Sequence, residues 1–167
     1  MPHGNLLCLA GKEKVRELGI IGIGNTLMGD DGVGVRLLEL LEGGDLPQGV
    51  NVVNIGTNVM ALLHSLTCFD AVIILDAVDF GGRPGQALEI NPDDVISKKE
   101  LLRLSTHESD VLNIIRLSRE LGECPEDIRI FAVQPFSMNS GEGLSPRIQR
   151  LLPRYQDDIM KLVDSML

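Results

Sequence analysis

Apolar positions along this chain switch repeatedly between a strand-like and a helix-like spacing. Leu18 to Ile23 is a compact apolar run that closes on Gly22-Ile23-Gly24 and predicts a first strand. Beyond Asp30 and Asp31, the stretch Gly32-Val33-Gly34-Val35-Arg36-Leu37-Leu38-Glu39-Leu40-Leu41 reads as a helix. An Asp before it is placed to cap free backbone N–H groups at the positive end of the dipole, and Gly43-Gly44 with Pro47 stop it. Val50 to Ile55 predicts a second strand, with so little alternation that burial on both faces is expected. Thr57 stands where it could cap a short helix through Leu66. Ala71-Val72-Ile73-Ile74-Leu75 predicts a central strand covered on both sides and ending at Asp76.

The second half continues the alternation. Gly81-Gly82-Arg83-Pro84-Gly85 is a turn, and Gln86 to Ile90 is a short strand after it. The connection leaves no room for a helix, so an antiparallel neighbour to the central strand is expected. Residues 91–105 are polar and irregular, with room for a short helical piece. Glu108 to Leu121 predicts a helix with Val111, Leu112, Ile114, Ile115 and Leu121 on its apolar side. Ile128 to Val133 is a further strand, closed by Gln134-Pro135. Ser145 as cap and Pro146 at the first helical position open a last helix, whose buried stripe runs Ile148, Leu151, Leu152, Tyr155, Ile159, Leu162, Val163 and Met166. Residues 1–16 show no period and read as an N-terminal arm before a single domain at 17–167. Strands alternating with helices imply an α/β sandwich with a mostly parallel sheet.

Composition narrows the function classes. The chain has 167 residues, enough for one domain. With 44% hydrophobic residues it is too apolar for wholesale disorder. Its 24 acidic and 15 basic residues give a formal charge of −9, which argues against nucleic acid as a partner because phosphates demand Lys and Arg. Cys8, Cys68 and Cys124 are odd in number and form no CxxC pair, so they read as free thiols of a cytoplasmic protein. No apolar run approaches the length of a membrane span, so no membrane partner is expected.

In open α/β sheets chemistry gathers at the carboxyl ends of the strands, near a topological switch point. Three places meet that rule here: Asp30-Asp31 after the first strand, Asp76 and Asp79 after the central strand, and His107 at the start of the helix before the last strand. Two carboxylates and an imidazole form a mixed oxygen and nitrogen set suited to a divalent transition metal with open positions. Each has a purely structural alternative. Asp30 or Asp31 could only cap a helix, Asp76 could only satisfy loop amides, and His107 could only bond within Ser105-Thr106-His107-Glu108. His64 reads as a structural or surface residue. Gly22-Ile23-Gly24-Asn25-Thr26-Leu27 lacks the third glycine of a dinucleotide fingerprint, and no Walker Gly-Lys-Ser/Thr exists. The acids also resemble those of a phosphorelay receiver. Against that, Asp31 lies seven residues beyond Gly24, and the last strand ends Val133-Gln134-Pro135 without a lysine.

Gly22-Ile23-Gly24-Asn25-Thr26-Leu27-Met28-Gly29-Asp30-Asp31-Gly32-Val33-Gly34 resembles the N-terminal signature of the nickel–iron (NiFe) hydrogenase maturation endopeptidases. Leu75-Asp76-Ala77-Val78-Asp79, Ser105-Thr106-His107-Glu108, Gln134-Pro135 and Gly143-Leu144-Ser145-Pro146 resemble that family's later landmarks in the same order. The resemblance spans roughly residues 18–150. It implies a three-layer sandwich, with helices on both faces of a twisted, mostly parallel sheet of about five strands. It implies an aspartic-type endopeptidase, a hydrolase that removes the C-terminal extension of a hydrogenase large-subunit precursor after nickel insertion, acting as a monomer. By position it makes Asp31, Asp76 and His107 the metal-contacting residues, with Asp31 and Asp76 as the catalytic carboxylates and nickel supplied by the precursor. The three should then converge on one point. A non-catalytic nickel-sensing or chaperone module would use the same donors, and a carboxyl dyad sharing a proton is a metal-free variant.

Overall fold

The computed structural model of the chain describes residues 15–97 and 106–167. The expected arm at 1–16 lies outside them except for its last two positions. Leu18–Ile23 forms β1, and a 3-10 turn at Gly29–Gly32 leads into α1, Val33–Glu42. Then come β2 at Val50–Gly56, α2 at Met60–Leu66, β3 at Ala71–Ala77, β4 at Ala87–Ile90 and α3 at Pro92–Ser97. The chain ends with α4 at Thr106–Glu120, β5 at Asp127–Val133 and α5 at Pro146–Met166. The five strands lie in the order β2-β1-β3-β5-β4. The first four are parallel, and β4 runs antiparallel to β5.

Alternate residues of the strands feed two cores. Leu18 and Ile20 of β1 and Ile73 and Leu75 of β3 pack with Leu37, Leu38 and Leu41 of α1 and Ile148 and Ile159 of α5. Ile21, Ile23, Val72 and Ile74 pack on the other face with Leu62 and Leu66 of α2 and Ile114 and Ile115 of α4. The molecule is therefore the three-layer sandwich that the alternation implies, with β3 buried along its whole length. Gly34 sets how closely α1 can approach the sheet. A Cβ there would collide with the carbonyl oxygens of Ile23 and Leu75, so only glycine lets the helix lie against the carboxyl ends of β1 and β3.

Several local expectations are corrected. β4 has the expected antiparallel sense, but it does not lie beside β3, because β5 takes that place and β4 pairs outside it. A strand of four residues with only Ile90 buried forms a better edge than an inner member. β2 is the opposite edge, with only Ile55 fully buried, so its weak alternation reflects an edge strand and not burial on both faces. Neither Asp30 nor Asp31 caps α1, whose N-cap is Gly32, and Thr57 does not cap α2, whose N-cap is Val59. His64 is exposed on α2, as a surface residue. No described helix is long and apolar enough to cross a membrane.

The last helix is anchored as its sequence implies. Ser145 Oγ accepts a hydrogen bond from Ile148 N–H, and Pro146 follows at the first helical position. Further along, Tyr155 packs edge-on against Phe131, ring centroids 6.1 Å apart at 69°. Its hydroxyl donates to Gly85 O at 2.6 Å, tying α5 to the turn before β4. Burial pushes the Tyr155 phenol up from 10.0 to about 12, with the Asp30 charge adding to the rise and Arg154 and Arg147 opposing it. The unfolded chain therefore loses this proton first on titration into base, while the folded chain keeps it. The stability this group contributes is fully present and independent of pH below about 10, and is lost as pH rises from about 10 through about 12. Tyr155 is the sole tyrosine, so phenolate absorbance reads its titration directly. Urea midpoints of the native chain should drop across the window more steeply than those of Tyr155→Phe.

Candidate functional site

Two loops meet above the carboxyl ends of β1 and β5. The 3-10 turn after β1 carries Asp30, a fully buried carboxylate. Its Oδ2 accepts from Phe136 N–H at 2.9 Å, Ser137 N–H at 3.0 Å and Ser145 O–H at 2.9 Å, and its Oδ1 accepts from Ser145 N–H at 2.7 Å. Backbone bonds reinforce the join. Gly29 N–H donates to Gly141 O, Asp30 N–H to Ser137 O, and Gly141 N–H to Leu27 O. A buried charge costs several kcal/mol unless it is surrounded by donors, and here four donors converge on one group. Asp30 is thus the clasp between the segment after β1 and the segment leading into α5.

Asp31, the next residue, serves a different space. Its Oδ2 accepts from Asn25 N–H at 2.9 Å, which closes the loop on itself. Gly24 lies beneath at φ +138°, and a Cβ there would collide with the Asp31 carbonyl oxygen. Asp31 lines a cavity of about 270 Å³ together with Asp76. Asp76 stands near the end of β3, opposite Ala132 of β5, and is 7% exposed. Ile23 ending β1 and Gly24 after it, Gly56 ending β2, and Thr57 and Val59 before α2 line one side of the cavity; Val111 of α4, with Met28 and Met138 from the loops, lines the other. β1 has β2 on one side and β3 on the other, so the cavity opens at the sheet's switch point, where α/β folds place ligands. It holds two carboxylates and, among the described residues, no basic side chain. That field favours a cation or a metal-bearing ligand.

Of the three residues read from the sequence as a donor set, Asp31 and Asp76 therefore share one cavity. His107 lies in the first turn of α4, one helical turn before the cavity-lining Val111, and its side chain is outside the described residues. Asp79 is not among the residues lining this cavity. Its Oδ1 accepts from Gly81 N–H and from Gln134 Nε2, so it organises the following turn. Gln134 completes that role, its Oε1 accepting from Phe80 N–H and Gly82 N–H.

Sequence reasoning missed three functions here. Asp30 is a clasp and not a cap, Gln134 clamps the turn at 80–82, and Met28 and Met138 wall the cavity. The pair Gln134-Pro135 was the visible signal for the second; nothing local announces the first, whose partners lie more than a hundred residues away. Cys68 and Cys124 are free and follow or precede elements at the opposite edge of the sheet, ahead of β3 and β5.

Comparison with known proteins agrees with this fold. A family model described as hydrogenase maturation protease matches residues 35–162. The hydrogenase expression/formation protein HupD of Rhodobacter capsulatus is 34% identical over 131 residues, covering 77% of this chain and 62% of the relative. The chain thus spans about three fifths of the length of that relative. The hydrogenase 2 maturation protease of Escherichia coli is 28% identical over 142 residues, covering 84% of this chain and 87% of the relative. Among solved structures, the hydrogenase maturating endopeptidase HybD from E. coli superposes with a TM-score of 0.80 at 26% identity, covering 90% of this chain and 93% of that one.

The adjacent acids should separate in a stability assay. Asp30→Ala strands four part-buried donors and should cost roughly 3 kcal/mol. Asp31→Asn retains an oxygen for Asn25 N–H and should stay within about 0.5 kcal/mol of the parent. Urea denaturation monitored by circular dichroism measures both, and equal destabilisation would contradict the division of roles.

Proposed function

The chain belongs to the hydrogenase maturation protease family, and we propose that it is the endopeptidase that removes the C-terminal extension of a nickel–iron hydrogenase large-subunit precursor once nickel is in place. The observation that carries this reading is the cavity at the switch point, which has two carboxylates, no described basic lining and an apolar approach. Leu27, Met60 and Phe136, on the segments around this edge, are 62–63% exposed. Such side chains suit contact with another polypeptide. The two described thiols lie at the other end of the strands, and among the described lining residues Asp31 and Asp76 are the ionisable side chains.

In this reading the donor set of Asp31, Asp76 and His107 reads the nickel carried by the precursor and docks the scissile bond against the cavity. Carboxylate oxygen and imidazole nitrogen are donors that a divalent transition metal accepts. A metal so held can polarise a carbonyl or activate a water. The chain's own contribution is positional and protonic. Asn25 N–H fixes one Asp31 oxygen, and burial near the end of β3 fixes Asp76. A carboxylate so placed takes the proton of the attacking water and returns it to the departing amine, a transfer worth about a hundredfold or more in rate. The partner is the precursor, in the cytoplasm, where hydrogenase assembly would occur and where reduced cysteines fit.

The test is incubation with precursor in nickel-loaded and metal-free forms, followed by mass measurement of the product. Loaded precursor should be shortened, and metal-free precursor should remain intact in chelator. Asp76→Ala and His107→Ala should each lower processing by about a hundredfold or more while remaining folded. Efficient cleavage of metal-free precursor in chelator would remove the nickel-reading role and favour a carboxyl dyad. Binding of loaded precursor without cleavage would make the chain a sensing module instead.

A further inference from the structure

A second cleft, of about 340 Å³, lies on the α5 side of the Asp30 clasp, between the turn at Arg83–Ala87 and the first turns of α5. Its walls carry Arg83, Arg147 and Arg154. The sole acid in the lining is Asp158, which stands 3.9 Å from Arg154 and 3.3 Å from Lys161. Three guanidinium groups against one carboxylate make a positive concavity on a chain whose formal charge is −9. Arg83 and Arg147 have no carboxylate within salt-bridge distance among the described residues, so their donors remain for a ligand.

The floor is built to stay open. Gly85 sits at φ +85°, and a Cβ there would come within 2.8 Å of Leu151 Cδ1 and 3.7 Å of Arg147 Nε. Any side chain at 85 would occupy the space beside the Arg147 guanidinium. The Tyr155 hydroxyl, held on Gly85 O at 2.6 Å, keeps that backbone in place. The cleft thus has a fixed floor, exposed cationic walls and room for on the order of ten waters, which suits a short peptide segment.

We propose that this cleft is a carboxylate-binding site that takes the acidic side chains of a peptide. Guanidinium groups bind carboxylates in a bidentate manner, and the same fork also accepts phosphate. Asp158 at the margin favours the carboxylate, because a second fixed negative charge repels a phosphate dianion more than a monoanion. Within the proposed function, which this step rests on, the peptide belongs to the precursor. The cleft then holds an acidic segment away from the cut, while the carboxylate-lined cavity repels that segment and receives the cleavage point.

The test separates binding from cleavage. An isotope-labelled chain is titrated with a capped Gly-Glu-Glu-Gly peptide, with its Gly-Gln-Gln-Gly counterpart and with inorganic phosphate, while the amide signals of Gly85, Gln86 and Arg147 are followed. The Glu peptide should shift these signals, should weaken with added salt, and should bind about tenfold less tightly to Arg83→Gln and to Arg147→Gln. Both arginines are exposed, and circular dichroism confirms the folded state of each variant. Equal binding of the Gln peptide, or unchanged affinity in both variants, would overturn the site. Phosphate binding as tightly as the Glu peptide would overturn the assignment to a peptide carboxylate. This arm stands whether or not the chain cleaves anything. In the processing assay the same variants should raise KM with little change in kcat, and a fall in kcat at unchanged KM would overturn the docking role.

Discussion

The buried carboxylate of Asp30 is the interaction on which the working edge of the molecule depends. It is fully enclosed, yet every contact it makes is with a donor: two backbone N–H groups at 136 and 137, and the N–H and hydroxyl of Ser145. An ionised group without partners could not be buried at this depth. With them, the charge acts as a directional clasp between segments that begin more than a hundred residues apart. Ser145 is also the cap of α5, so one side chain links the loop after β1 to the start of the last helix. Through that helix the constraint extends to Tyr155, Phe131 and the Gly85 turn.

The clasp also explains why two acids stand side by side. In a 3-10 turn each residue advances by a third of a turn, so neighbours point in directions about 120° apart. Asp30 turns inward to the 136–145 segment, and Asp31 turns to the cavity that it shares with Asp76. The first acid fixes the turn and the second inherits a defined direction. Shifting the turn by one residue would send a carboxylate meant for the cavity into the clasp and leave the cavity with one acid. The glycines around it serve the same tight geometry. Gly24 and Gly34 remove atoms where the turn and α1 approach the strand ends more closely than any side chain allows.

What was legible in the sequence is what short stretches decide on their own. The five apolar residues at 71–75 announced β3, and Ser145-Pro146 announced the start of α5, because strand burial and helix capping are encoded within a few positions. Asp31 and Asp76 could be placed at one edge because strand ends and the switch-point rule are also local inferences. The pairing of β4 was not legible. Its sense follows from a short connection, but its partner is chosen by β5, which arrives some forty residues later. The burial of β2 was misjudged for a related reason: an apolar strand does not reveal whether a second neighbour exists. A cap is the structural alternative that the sequence offers for Asp30 or Asp31, because capping is the commonest use of an Asp before a helix, and the partners Asp30 has in the fold are invisible without it.

Two concavities of opposite charge flank the clasp, and their separation has a physical consequence. The cavity holds Asp31 and Asp76, whereas the cleft holds three arginines against one acid. A chain with a strong overall negative charge repels acidic peptides in general, so a local positive cleft is where such a peptide can approach at all. Opposed fields favour different ligands: the cleft with Arg83 and Arg147 favours anionic groups, and the cavity with Asp31 and Asp76 disfavours them. Asp30 lines neither space, and its carboxylate is engaged by donors at 136, 137 and 145, so it does not compete for a ligand in either.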